Sequence, residues 1–410
     1  MGMDGFREAA AARLHEKGFS VRAAARALNY DHAYVSRVLN GRQEPSAALV
    51  HALDTLLGAD GSLIELDEEE RDLFAHSLRA SGDRQPPPPE AEARIEDFLP
   101  AGDPLAPLRA RQGRRIGEHG AEDLQRRVHG LRLADDVIAG GDLLRPAVRE
   151  LRSAVRLFRE GSYTEEVGRA LLVSIGELAQ IAGWIASDAG EHRQAERIYR
   201  LGISAAHQAG DATLVGNVLG SLAYQRTNTG DSRAGLTMAR TALEQAGVQA
   251  PPRARALYLD RVAWAATQAG EIRLAVRALG EASEAIDRPA GENEPGYLYW
   301  VDRNEIEVME ARVHTELHRP LRAVPVLRRV LDRYDATHAR ELALYLSWLA
   351  VALADANEPE EAAATAGRML ALSADVASAR TADRSRVVLS RLAEFQDVPQ
   401  VSALLDAAAA

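Results

Sequence analysis

Cysteine is absent from this chain. Disulfides, thiolate metal sites and cysteine nucleophiles are therefore excluded, and a reducing compartment is the expected setting. Lysine occurs once, at Lys17, so nearly every cation is arginine. A phosphate-binding loop is excluded too, because Lys17 follows His15-Glu16 rather than a glycine-rich run. Aromatics make up only 5% of the residues while alanine is abundant. Small side chains suit close helix packing better than β-sandwich cores. No uninterrupted apolar run approaches the ~18 residues of a membrane span. Arg7, Arg13 and Glu16 break any leader-like stretch at the N-terminus. The expectation is a cytoplasmic chain with no membrane contact. The eleven histidines are scattered without metal-ligand spacing. Glu68-Glu69-Glu70 and Glu360-Glu361 read as charges favouring helix N-termini rather than acid–base pairs. No catalytic residue, metal or cofactor is expected, and the chain reads as a non-enzyme.

What is present is length, helical periodicity and a repeat. A chain of 410 residues is long enough for two or three domains. A net charge of −11 argues against wholesale coating of nucleic acid but leaves room for a small, locally basic element. Residues 3–58 read as four or five short helices. A further helix is expected over 67–80, where Asp67 can cap, Glu70 stands three residues on, and Leu73, Phe74 and Leu78 form an apolar stripe. Pro86 to Pro89, followed by Pro100, Pro104 and Pro107, cannot continue a helix. The boundaries follow: a small N-terminal domain over 1–80, a proline-rich linker over 81–120, and a helical domain over 121–410.

The long segment repeats. Ala189-Gly190-Glu191, Thr229-Gly230-Asp231 and Ala269-Gly270-Glu271 fall 40 residues apart. Five residues after each glycine stands a small residue (Ala195, Gly235, Ala275), and seven before stands another (Gly183, Ala223, Ala263). The register continues with His318 and Asn357 in the glycine slot, preceded by Ala311 and Ala350 and followed by Ala323 and Ala362. This pattern predicts helical hairpins. A glycine accepts the left-handed cap that ends one helix, an acidic residue opens the next, and small residues let the pair approach closely. Each hairpin leaves an apolar face that only its neighbour can cover, so hairpins stack. The pattern resembles the tetratricopeptide repeat over about 165–375, with a period longer than that family's. The resemblance implies an all-α fold: a right-handed superhelix of tetratricopeptide-like hairpins following a small N-terminal domain.

Within the N-terminal domain, Ser20 can cap a helix carrying Ala24, Ala25 and Leu28. Asn29 suits a turn, Asp31 can cap a second helix that buries Val35, Val38 and Leu39, and Gly41 ends it before Pro45-Ser46. Two short helices joined by a three- to four-residue turn make a helix-turn-helix. Ala25, Leu28, Ser36-Arg37, Gly41-Arg42 and Pro45-Ser46 together resemble the lambda-repressor/Cro-type (XRE) family. That resemblance implies double-stranded DNA as partner, with the second helix in the major groove. It assigns base-edge contacts to His32, Ala33 and Arg37, and phosphate contacts to Arg22, Tyr34 and Arg42, with Ser36 on the same helix. The family often has Gln after the capping serine; Val21 stands there, and Arg22 takes the implied phosphate role.

An XRE-type head joined to a tetratricopeptide-like body resembles peptide-sensing regulators of Gram-positive bacteria and actinobacterial regulators of the same layout, of which Gly183 to Gly190 is reminiscent. The implied protein is a homodimeric transcription regulator whose groove takes a peptide, small-molecule or protein ligand. Six residues before the turn glycine is a groove-facing slot by that resemblance, and it holds Trp184, Tyr224 and Trp264; Asn217 and Asn228 stand in neighbouring slots. The alternative is a protein-interaction scaffold or regulatory subunit whose helix-turn-helix head does not bind DNA.

Overall fold

Helix propensity and capping decide the local structure nearly everywhere in this chain. A computed structural model describes residues 6–28, 30–39, 45–64, 66, 95–98, 115–138, 140–289, 294–334, 339–374 and 378–409. They divide between two units, Met1–Ala80 and Ser81–Ala410. The helix expected over 67–80 and the proline runs lie outside the described residues, as do Asn29, Gly41 and Arg42.

The N-terminal unit has four helices: α1 (Phe6–Glu16), α2 (Val21–Ala27), α3 (His32–Leu39) and α4 (Ala47–Leu57). The predicted caps form. Ser20 Oγ accepts from Ala23 N–H at 3.2 Å, Asp31 Oδ1 from Tyr34 N–H at 2.8 Å, and Ser46 Oγ from Leu49 N–H at 3.2 Å. Phe6, Ala10 and Leu14 of α1 meet Ala24, Ala25, Val35, Val38, Leu49 and Leu53 in one core.

The second unit is a succession of hairpins. Its helices are α5 (Glu118–Val137), α6 (Gly140–Glu160), α7 (Glu165–Asp188), α8 (His192–Ala209), α9 (Ala212–Asn228) and α10 (Ser232–Ala246). They continue as α11 (Pro252–Gln268), α12 (Ile272–Ile286), α13 (Arg303–Glu316), α14 (Pro320–Leu331), α15 (Ala339–Asp355), α16 (Pro359–Ser373), α17 (Ala379–Leu392) and α18 (Pro399–Ala409). From α5 to α17 each helix packs on the next, α18 packs on α16, and α5, α7, α9, α11, α13, α15 and α17 also pack on one another in turn, which is the stacking of hairpins.

The expected turn geometry holds in five registers. Gly190, Gly230 and Gly270 have φ of 81°, 96° and 80°, and the slot stays left-handed where it holds His318 (51°) or Asn357 (62°). In every case the following N–H (Glu191, Asp231, Glu271, Arg319, Glu358) donates five residues back, at 2.8–3.0 Å. Only Asp231 among the acidic openers makes a side-chain cap bond; Glu191 and Glu271 do not, their longer side chains leaving only the dipole interaction. The small residues are needed. A Cβ at Gly183 would stand 2.6 Å from the Tyr199 ring, and one at Gly235 would stand 2.2 Å from Thr227 Oγ1.

Two sequence expectations need correction. Part of the supposed linker is built into the second unit: Ile95–Phe98 forms a single 3-10 turn with Phe98 wholly buried, and Asp97 carbonyl accepts from the buried Arg200 guanidinium at 3.4 Å. Ile116 N–H likewise donates to Ser162 carbonyl at 2.9 Å, and α5 begins at Glu118, inside 81–120. The second concerns membranes. By length and composition alone Glu165–Asp188 could span a bilayer, its most apolar 18 residues having a mean hydropathy of 1.4. Counting uninterrupted runs missed it, because Glu177 breaks the run without lowering the average enough. In the fold 72% of that stretch is buried by neighbouring helices, as in a core helix.

Candidate functional site

The N-terminal unit presents one side of α3. Val35 and Val38 are buried, and the opposite stripe carries exposed His32, Ala33 and Arg37 with half-buried Ser36 between them. Positions i, i+1, i+4 and i+5 share a helix face, so these four side chains form one strip. Arg22 is exposed at the start of α2. Tyr34 is partly committed within the fold: its hydroxyl accepts from Ser46 N–H at 2.9 Å, and its ring stacks on Tyr30 at 6.0 Å. That leaves only its O–H to donate outward, and makes Tyr34 a staple between α3 and the start of α4. Arg42 lies outside the described residues.

Residues 6–66 match the model of the helix-turn-helix domain family. The N-terminal unit is a helix-turn-helix domain. This supports a DNA-binding regulator. No curated protein and no solved structure matches the chain. Among the described residues no group of three or more His, Asp or Glu is placed to hold a metal ion.

In the second unit four of the five residues expected to line a groove come together, Trp184, Tyr224, Asn228 and Trp264, though not as an open aromatic ladder. Trp184 and Tyr224 stack at 5.6 Å, and both are half-buried. Trp264 is buried, meets Trp348 edge-on at 5.6 Å, and donates its indole N–H to exposed Asn228 at 2.9 Å. Asn217 is buried in α9, and its carbonyl accepts from Ser221 Oγ at 2.9 Å.

What the sequence reading missed is the arginine set laid over these rings. Arg261 lies 4.4 Å from the Tyr224 ring centre, Arg312 4.5 Å from Trp264, Arg380 4.9 Å from Trp184 and Arg384 3.5 Å from Trp348. One signal was available. Arg312 stands six residues before His318, in the slot that holds Trp184, Tyr224 and Trp264 in earlier repeats. Arg380 and Arg384 belong to α17 and reach the rings only because the array curls back on itself. The seam of that curl is Asp188 at the end of α7. It accepts from Ser378 Oγ and Arg380 Nε, each at 2.9 Å, and from Arg340 at 3.5 Å; Arg340 also pairs with Asp135 of α5 at 3.2 Å.

The charges show in Tyr224. Burial alone would raise its phenol, but the guanidiniums of Arg312, Arg380 and Arg261 reverse that and bring it to about 8; Arg312 also donates to the hydroxyl at 2.9 Å. An ultraviolet titration of the native protein should show one tyrosine ionising near pH 8, absent from Tyr224→Phe. An unfolded tyrosine keeps its proton to about pH 10. Between these values the unfolded chain binds more protons, so this group makes stability rise with pH.

Proposed function

We propose that this chain is a sequence-specific DNA-binding transcription regulator, cytoplasmic and without chemistry of its own. It works as a homodimer whose tetratricopeptide-like array takes a peptide, small-molecule or protein ligand. The observation that carries the reading is the strip His32–Ala33–Ser36–Arg37, turned away from the Val35–Val38 core of a matched helix-turn-helix domain. Arginine can grip a guanine edge with two hydrogen bonds, alanine packs on a thymine methyl, and Arg22 suits a flanking phosphate. A single short helix reads only a few base pairs, so a pair of half-sites read by two copies gives usable affinity.

The test is selection of binding sites from genomic fragments, then anisotropy titrations of the selected site at several salt concentrations. Arg37→Ala is expected to lose about 1–3 kcal/mol, some 5- to 150-fold, and to relax preference at one base position. Arg22→Ala should instead weaken all sequences alike and flatten the salt dependence. A head that selects no sequence would favour the second reading, an interaction scaffold or regulatory subunit, for which the net charge of −11 and Val21 speak.

A further inference from the structure

Beside the Trp184–Tyr224 stack lies a small cavity of about 60 Å³, lined also by Asp188, Tyr199, Ser221 and Arg380. A water needs roughly 10–15 Å³ measured this way, so the space suits a group of a few heavy atoms. Its polar wall is incompletely matched. Tyr199 is fully buried in α8, yet its hydroxyl has no hydrogen-bond partner. Such a group is costly unless something pairs with it.

Cationic charge gathers behind the Tyr224 wall of the cavity. Asp188 is taken up by Arg340, Arg380 and Ser378. Asp260, on α11, sits 3.4 Å from Arg261, and burial lifts its carboxyl above the usual range against the pull of both Arg261 and Arg312. For Arg312 and Arg384, no described carboxylate lies within ion-pair distance, and Arg312 Nε and an Arg384 terminal nitrogen are buried without hydrogen-bond partners. Burial brings the Arg384 guanidinium down to about 10, with Glu316 opposing and Arg312 reinforcing. Tyr224, which Arg312 contacts directly, is therefore the point on the cavity wall where cationic charge converges.

We infer that this cavity binds the oxyanion headgroup of a small ligand, a phosphate or a carboxylate. The anion would accept from the hydroxyls of Tyr199 and Tyr224 and from Arg380, at the wall where the field of Arg312, Arg380 and Arg261 converges. This rests on the proposed ligand-sensing role of the array and names the chemistry of its ligand.

The test uses the full chain. Inorganic phosphate, pyrophosphate and citrate are titrated at constant ionic strength against chloride, following tryptophan fluorescence and thermal unfolding. A saturable fluorescence change is expected with at least one of the three, with a rise in Tm on the order of 5 °C at saturation; which anion acts separates phosphate from carboxylate. Tyr199→Phe should fold with an equal or higher Tm, because it removes an unpaired hydroxyl, and should weaken anion binding about tenfold. Arg312→Met, which removes the donor to the Tyr224 hydroxyl, should weaken it further. No saturable change with any anion would overturn the inference. So would a Tyr199→Phe protein that binds as tightly as the parent. DNA anisotropy in the same samples keeps the two readings apart. Specific DNA binding without anion binding sinks only the site, whereas anion binding with no DNA binding leaves the site and sinks the regulator.

Discussion

Asp188→Ala is expected to destabilise the second unit by about 3–5 kcal/mol, the cost of stripping the partner from buried guanidiniums. Asp188 is 2% exposed and joins α7 to α15 and α17 through Arg340, Arg380 and Ser378. Without it, Glu341 at 3.9 Å is the carboxylate left to Arg380, and Arg340 must rely on Asp135 and Glu341. Burial alone would raise the Asp188 carboxyl, but Arg380 and Arg340 hold it below the usual range. A carboxyl depressed in the folded state contributes stability at neutral pH that is lost as pH falls through its folded value. The Asp188→Ala penalty should therefore shrink in strong acid. All four tryptophans, Trp184, Trp264, Trp300 and Trp348, lie in the second unit, so fluorescence-monitored urea unfolding reads that unit alone. A loss below about 1 kcal/mol would mean the seam is no more than a solvated surface pair.

Phe98→Ala should cost about 3–5 kcal/mol in the same assay, the usual penalty for a fully buried phenylalanine. Phe98 has no exposed surface, Ile95 one turn earlier is 4% exposed, and Asp97 between them meets Arg200. A free linker would tolerate the change with no loss. An unchanged unfolding curve would return 95–98 to the linker and leave Arg200 held by Glu196, at 3.0 Å, without a role for Asp97.

Local rules reach far in this protein. The caps Ser20, Asp31 and Ser46, the turns at Gly190, Gly230, Gly270, His318 and Asn357, and the close contacts at Gly183 and Gly235 all follow from residues a few positions apart. Short-range hydrogen bonds and steric fit depend on chain neighbours, which a sequence displays directly. The strip on α3 was legible for the same reason, since a helix of period 3.6 places His32, Ala33 and Arg37 opposite Val35 and Val38. The docked Ile95–Phe98 turn was not, because two apolar residues amid prolines carry no periodicity and their burial depends on a surface about a hundred residues away.

The interior of the array divides along the same line. The sequence by itself determined that Trp184, Tyr224 and Trp264 would share one face, because a 40-residue register repeats their environment. Only the tertiary structure decided what stands over that face. Arg380 of α17 reaches Asp188 of α7 across 192 positions, and Arg340 reaches Asp135 across 205. The curl that joins them sums small rotations at every hairpin interface. No single pair of residues encodes that sum, so Arg380 and Arg384 come over the aromatic face only when the whole array is folded.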